Sequence, residues 1–312
     1  MQNKLILRLS NEMGNQMFMY ASAYSIAKKM NRNLFIDNET AFLLKKNVSQ
    51  YGLNPFFISA QVASDSLKFK NLTGYLKRKF LIKTEFLRNK KKFYIEKKDK
   101  NKITGFSEDY KKINFEENLF LEGHFESEKY FMDCKDEIKK EFKIKNQEPL
   151  KKNPYFSELI KPNSVSVCLR QNRFVEGRGQ NTSLNKQKSF NFSLEQINFI
   201  NKSANFIKSK ISEANFFLWT NDFTNIDKKK FNFEYKEIRL DQIDNVKDKR
   251  ILSLFLLNQC NHYIVTTSTF NWWGAWLSQS ANKIILRPSD NFFKDFYLNN
   301  RDFWPVSWIK ID

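Results

Sequence analysis

The chain opens on an alternating apolar pattern that predicts a strand over Lys4 to Leu9, a turn over Ser10 to Gln16 and a helix over Met17 to Met30. Ala21, Ala23 and Ala27 let that helix pack closely, and Leu34 to Ile36 reads as the next strand. Strand, loop, helix and strand in that order predict a parallel α/β unit, with the loop at the carboxyl end of the first strand as a natural ligand position. From Lys68 to Ile113 the chain is lysine-rich with scattered aromatics, and its periodicity specifies no element. Leu119 to Gly123 resumes a strand pattern, and Tyr130 to Phe142 reads as a helix.

Pro149, Pro154 and Pro162 among polar residues mark Lys145 to Pro162 as a linker, which divides the chain into expected domains 1–148 and 149–312. Beyond it, Ser164 to Leu169, Phe216 to Thr220, His262 to Thr267 and Lys283 to Leu286 read as strands. Ser193 with Gln196 three residues on has the capping-box pattern and predicts a helix start there. Ile251 to Cys260 is apolar nearly all round and predicts a buried helix, and Asn271 to Ala281 predicts another. The expectation is an α/β protein of two such domains, with ligands collecting in a cleft between the carboxyl edges of the two sheets.

Of the 312 residues, 41% are apolar and 32 are phenylalanine, which is ample material for packed cores and argues against disorder. No run approaches the eighteen or so apolar residues that span a bilayer, and the start lacks a signal-peptide pattern, so a cytoplasmic protein is expected. The three cysteines, Cys134, Cys168 and Cys260, are an odd number at wide spacing in apolar segments and read as buried, reduced thiols. A formal charge of +19 suits anionic lipid, phosphorylated ligands or nucleic acid, with a merely solvated lysine surface as the plain alternative. No zinc knuckle, RNP-type aromatic motif or basic helix repeat is present, so nucleic acid is not an expected partner. Peripheral contact with an anionic inner membrane is compatible with this charge.

Candidate chemistry lies in the loops at the carboxyl edges: Asn11 to Gln16, Arg170 to Gly179, Thr220 to Asp222 and Thr266 to Asn271. Ser268 and Thr269 stand between a buried strand and the first turn of a helix, where free N–H groups favour a diphosphate, or where the two residues simply cap the helix. Arg170 follows an apolar strand with no polar spacer, a place from which a guanidinium can fork onto phosphate oxygens. Glu176, in the same loop, is the best-placed carboxylate for a general base, against the plain reading of a solvated acid. Trp272, Trp273 and Trp276 suit core packing better than sugar stacking. Without Asp-x-Asp, and with His124 and His262 far apart, a metal site is not expected.

Several long stretches carry a resemblance. Met13-Gly14-Asn15-Gln16-Met17-Phe18 with Tyr20-Ala21, Leu121-Glu122-Gly123-His124-Phe125-Glu126-Ser127-Glu128-Lys129-Tyr130-Phe131, Ser268-Thr269-Phe270-Asn271-Trp272-Trp273-Gly274-Ala275-Trp276-Leu277 and Pro305-Val306-Ser307-Trp308-Ile309 resemble, in order, motifs of the bacterial α-1,2-fucosyltransferases, glycosyltransferase family 11. The chain departs from the family where a His-x-Arg-Arg-x-Asp motif stands as Cys168-Leu169-Arg170-Gln171-Asn172-Arg173, where an acid stands as Ser253, and where two glycines stand as Asn11 and Glu12.

The resemblance implies a GT-B-like fold of two Rossmann-like domains, inversion at the anomeric carbon and no metal. It implies GDP-fucose as donor substrate, no further cofactor, and a galactosyl hydroxyl of a saccharide as acceptor; assembly of a surface glycan fits this, and a lipid-linked saccharide is the form of acceptor compatible with contact at an anionic membrane. Domain 1–148 would face the acceptor and domain 149–312 would hold GDP. On that analogy Arg170 meets the diphosphate, Asp222 lies near the nucleoside, Ser268 and Thr269 hold the phosphates with Phe270 beside them, and Gly14, Asn15 and Gln16 also bind the donor, closing the cleft from the other side. A transferase using another nucleotide sugar, and a nucleotide-sugar-binding protein without catalysis, are the alternatives left by the altered arginine loop.

Overall fold

A computed structural model describes residues 3–43, 51–101, 103–176, 179–224, 226–243, 248–294, 296 and 300–312. Residues 177 and 178 of the expected Arg170 to Gly179 loop lie outside these. Two compact units make up the chain: residues 1–145 with 299–305, and 146–298 with 306–312.

The first unit runs β1 (Lys4–Arg8), α1 (Met13–Lys29), β2 (Asn33–Asp37), β3 (Gln61–Val62), α2 (Asn71–Lys83), β4 (Lys91–Ile95), β5 (Phe115–Glu122) and α3 (Lys135–Glu141). Its sheet has the order β3-β2-β1-β5-β4 with every pair parallel. Leu5, Ile6 and Leu7 are fully buried and pair with Leu34, Phe35 and Ile36 on one side and Leu119, Phe120 and Leu121 on the other, as a central parallel strand requires.

Helix α1 starts at Met13, four residues before the expected Met17. Asn11, where the family has a glycine, takes φ +61°, a left-handed turn that asparagine tolerates, so the chain enters the helix early. Gly14, Asn15 and Gln16 are therefore first-turn helical residues rather than a loop. The expected helix over Tyr130 to Phe142 is two 3₁₀ turns followed by α3. Where periodicity specified nothing, α2 and β4 form; α2 lacks a fully buried residue, which is why no apolar period stands out.

The second unit runs α4 (Glu148–Lys151), α5 (Phe156–Leu159), β6 (Ser164–Leu169), α6 (Ser183–Lys210), β7 (Asn215–Thr220), β8 (Lys236–Glu237), α7 (Lys249–Gln259), β9 (His262–Ile264), α8 (Thr269–Leu277), β10 (Ile285–Pro288) and β11 (Ile309–Ile311). Its six strands are all parallel in the order β11-β10-β9-β6-β7-β8. The chain moves outward from β6 to β7 and β8, then crosses back to β9 on the other side. The carboxyl ends of β6 and β9 therefore flank the point where strand order reverses, the place where open α/β sheets bind ligands.

The proline-rich stretch is structured, because Pro149 sits in the first turn of α4, where its missing N–H costs nothing, and Phe156 stacks on Phe255 of α7 at 5.8 Å. Helix α6 is 28 residues long and is capped by Thr182, whose hydroxyl accepts from the Asn185 N–H at 3.2 Å. Ser193 and Gln196 consequently lie inside it and do not open it.

Candidate active site

Arg170 is the first residue beyond β6, and a single side chain holds its backbone on both sides. Its N–H donates to Gln196 Oε1 at 2.9 Å, and its carbonyl accepts from Gln196 Nε2 at 2.8 Å. Gln196 is fully buried on α6 and does for Arg170 what a neighbouring strand does for a strand residue. Asn221 repeats the device beyond β7: the Gln171 N–H donates to Asn221 Oδ1 at 2.8 Å, and Asn221 Nδ2 donates to the Gln171 carbonyl at 3.2 Å. Ser193 Oγ donates to Gln171 Oε1 at 3.0 Å. The apparent capping box is thus part of a buried network that fixes the loop, and a bonded network of this kind is rigid.

The Arg170 guanidinium forms an ion pair with Glu176. Glu176, expected as a general base or a solvated acid, is engaged with Arg170, and a ligand anion must share that guanidinium with it. Asp222 is turned into its own loop, where Oδ1 accepts from the Thr224 hydroxyl at 2.6 Å and the Thr224 N–H at 2.8 Å, while Oδ2 accepts from Asn172 Nδ2 at 2.8 Å. The Thr224 hydroxyl, its N–H and Asn172 hold the Asp222 carboxyl below the usual aspartate range. Asn172 stands at φ +59°, and its amide ties the loop after β6 to the loop after β7.

After β9 the buried Thr266 hydroxyl donates to the Cys168 carbonyl at 2.8 Å, which joins this strand end to β6. Ser268 caps α8, its hydroxyl accepting from the Asn271 N–H at 3.5 Å. Thr269 is the first helical residue. Trp272 and Trp273 are completely buried and Trp276 nearly so, and Trp272 lies 5.5 Å from Trp308, so these rings belong to the core.

Around these strand ends lies a cavity of about 600 Å³, within the range of small-molecule sites. Arg170, Asp222, Ser268 and Phe270 all line it, and so does Ser253; Thr269 does not. Four cationic side chains, Arg170, Arg239, Lys249 and Arg250, and two carboxylates, Asp222 and Asp241, line it; Arg170, Arg239 and Arg250 pair with Glu176, Glu237 and Asp248, so an anion entering the cavity shares those guanidinium groups and meets Lys249 directly. Arg239 lies 4.0 Å from the Phe223 ring centroid and donates to Glu237 at 2.8 Å, which gives the wall a fixed planar cation. The Trp219 indole N–H, on the same wall, is buried with no acceptor among the described residues. Arg239, Lys249, Arg250 and Trp219 line this cavity and were not singled out from the sequence. Only the position of Lys249 and Arg250 behind the helix-capping Asp248 offered a signal.

Gly14, Asn15 and Gln16 belong to the first unit. Gln16 is fully buried, donating to the Asn11 carbonyl at 2.8 Å and accepting from the Gly52 N–H at 2.8 Å. Asn15 donates to Glu126 at 2.8 Å, and Asn11 and His124 are 2.6 Å apart. Gly123 stands at φ +150°, and a Cβ there would meet Glu96 Cβ at 2.3 Å; this close approach lets the Glu96 carboxylate accept from the His124 and Phe125 N–H groups. Burial pushes the Glu96 carboxyl up from the usual glutamate range, against these two bonds. Among the described residues no group of three or more His, Cys, Asp or Glu could hold a metal ion.

The sequence model of Glycosyl transferase family 11 matches residues 2–312. The chain belongs to this family. An α-1,2-colitosyltransferase of Escherichia coli is 26% identical over 99% of both chains, and an O-antigen biosynthesis glycosyltransferase of the same organism, WbnK, is 36% identical over 61 residues, 19% of each. A GDP-bound point mutant of Arabidopsis thaliana FUT1 superposes with a TM-score of 0.53 at 12% identity, covering 95% of this chain and 72% of that one. The family 11 chain is thus a GT-B-like α/β protein and a glycosyltransferase. No helix among its described residues is long and apolar enough to cross a membrane.

Proposed function

We propose that the chain transfers fucose from GDP-fucose to the 2-hydroxyl of a galactosyl residue in a surface glycan, with inversion and without a metal. The observation that carries this reading is the cationic cavity at the strand reversal of the second unit, with Arg170 on its wall and the N-terminus of α8 beside it. A nucleoside diphosphate fits the size and charge of such a cavity.

In the reaction, the acceptor oxygen forms a bond to the anomeric carbon from the face opposite the diphosphate. The bond to the phosphate oxygen breaks, its electron pair leaves with GDP, and the hydroxyl proton passes to water. Charge grows on the departing diphosphate, and Arg170, clamped by Gln196, is the donor best placed to meet it without reorganising. We assign Ser268 and Phe270 to the phosphate end of the cavity, with Thr269 behind them. Asp222 shapes the nucleoside side, and Glu176 positions the arginine rather than taking the proton. Asp241 supplies the carboxylate acceptor that a guanine edge needs and that Ser253 does not provide. The first unit is assigned to the acceptor, with Gly14 and Gln16 shaping the turn that presents Asn15.

Full-length similarity to an α-1,2-colitosyltransferase makes GDP-colitose the second donor to consider. Initial rates with GDP-fucose, GDP-colitose and uridine or thymidine diphosphate sugars on a β-galactoside test the proposal, with NMR of the product. A 2-linked product from a GDP sugar is expected. Turnover confined to uridine or thymidine donors would overturn the assignment.

A further inference from the structure

We propose that α2 docks the protein on an anionic lipid surface. Its inner face is fully engaged: Leu81 and Ile82 pack against the cluster containing Ile6, Phe93 and Phe120, and Arg78 Nε donates to Glu122 Oε1 at 2.6 Å. The outer face carries Leu72, Leu76 and Phe80, which are 64%, 56% and 66% exposed. Spaced by four residues, they advance about 40° per step and so form one stripe about 80° wide. Phe86 and Leu87, just beyond the helix, are exposed as well.

Lysines border the stripe. Lys79 and Lys83 project beside Leu72 and Leu76, and Lys77 lies beyond Phe80 on the helical wheel. None of these three forms an ion pair among the described residues, whereas neighbouring Lys68, Lys70, Arg88 and Lys92 are paired with Glu39, Asp65 or Glu116. A contiguous exposed apolar stripe on a soluble surface marks an interaction face. Phe and Leu on one face, edged by lysines, is the composition of a helix that lies in the interfacial plane of a membrane.

The occupant follows from charge. A second copy pairing through the same face would set its three unpaired lysines against these three, with no carboxylate on the stripe to offset them. Nucleic acid would satisfy the lysines but leave the leucines and Phe80 in contact with phosphate and water. Anionic lipid satisfies both, with headgroups meeting the lysines and acyl chains the apolar stripe.

Flotation of the full chain with phosphatidylcholine vesicles, with and without phosphatidylglycerol, tests the proposal and needs no turnover, so it stands apart from the proposed reaction. The chain should float only with phosphatidylglycerol present. Lys77→Glu/Lys79→Glu/Lys83→Glu should bind roughly 100-fold more weakly. Leu76→Ser/Phe80→Ser should lose the binding that survives high salt, and both variants should keep the parent melting temperature because the changed residues are exposed. Equal flotation with both vesicle types, no flotation, or parental binding by the charge-reversed variant would overturn the proposal. So would a dimer that Leu76→Ser/Phe80→Ser disperses, since the face would then belong to a second copy.

Discussion

Arg170 is held by its backbone, and its guanidinium pairs with Glu176 alone among the described residues, which separates two roles for the acid. If Glu176 only positions and competes for the guanidinium, Glu176→Gln should leave turnover within about threefold and tighten GDP binding, because a neutral amide competes less well with diphosphate. Arg170→Ala should lower turnover by about 10²- to 10³-fold, the cost of one preorganised donor to a departing anion. Steady-state rates of the two variants check this, and a loss of 10² or more in Glu176→Gln would return the acid to the role of general base. Arg170 was legible in the sequence because it follows directly on the strand pattern Ser164 to Leu169, whose last three residues are apolar. Its clamp was not, since Ser193-x-x-Gln196 has the form of a helix cap, and only the position of α6 against β6 turns that pattern inward.

Between elements, α8 packs tightly against α7 beside the site. A Cβ on Gly274 would stand 2.3 Å from Leu257 Cδ2 and 2.6 Å from its Cγ, and Leu257 is buried, with little room to turn. Gly274→Ala should destabilise the chain by about 1–3 kcal/mol, as overpacking does, despite the better helix propensity of alanine. Adding Leu257→Ala should recover part of that loss, so the urea-denaturation energies of the two changes should not add. Additive losses would place the strain elsewhere. The glycine was readable only as part of a motif, because a helix-to-helix approach leaves no trace in apolar period. The strands were far easier: β6 and the middle of β7 are buried on both faces and rich in apolar residues, as central parallel strands are, whereas two-residue β3 and β8 are too short to show a pattern.

For the whole molecule, the order of strands, loops and helices was sufficient to predict two parallel α/β units. It did not reveal that 299–305 returns to the first unit, because this aromatic segment has neither helical nor strand periodicity. Charge acts at this scale too. Two groups of cations matter within the net +19, the cavity wall with Arg170, Arg239, Lys249 and Arg250, and the outer face of α2 with Lys77, Lys79 and Lys83. The first makes the central claim directly measurable, since a ligand that binds the folded chain stabilises it, by about 2.7 kcal/mol at a hundredfold excess over Kd. The decisive measurement is the melting temperature of the parent chain and Arg170→Ala with GDP, UDP, CDP and dTDP. The account predicts a selective rise with GDP in the parent that is largely lost in Arg170→Ala. No rise with any of the four, or the same GDP response in both proteins, would contradict it.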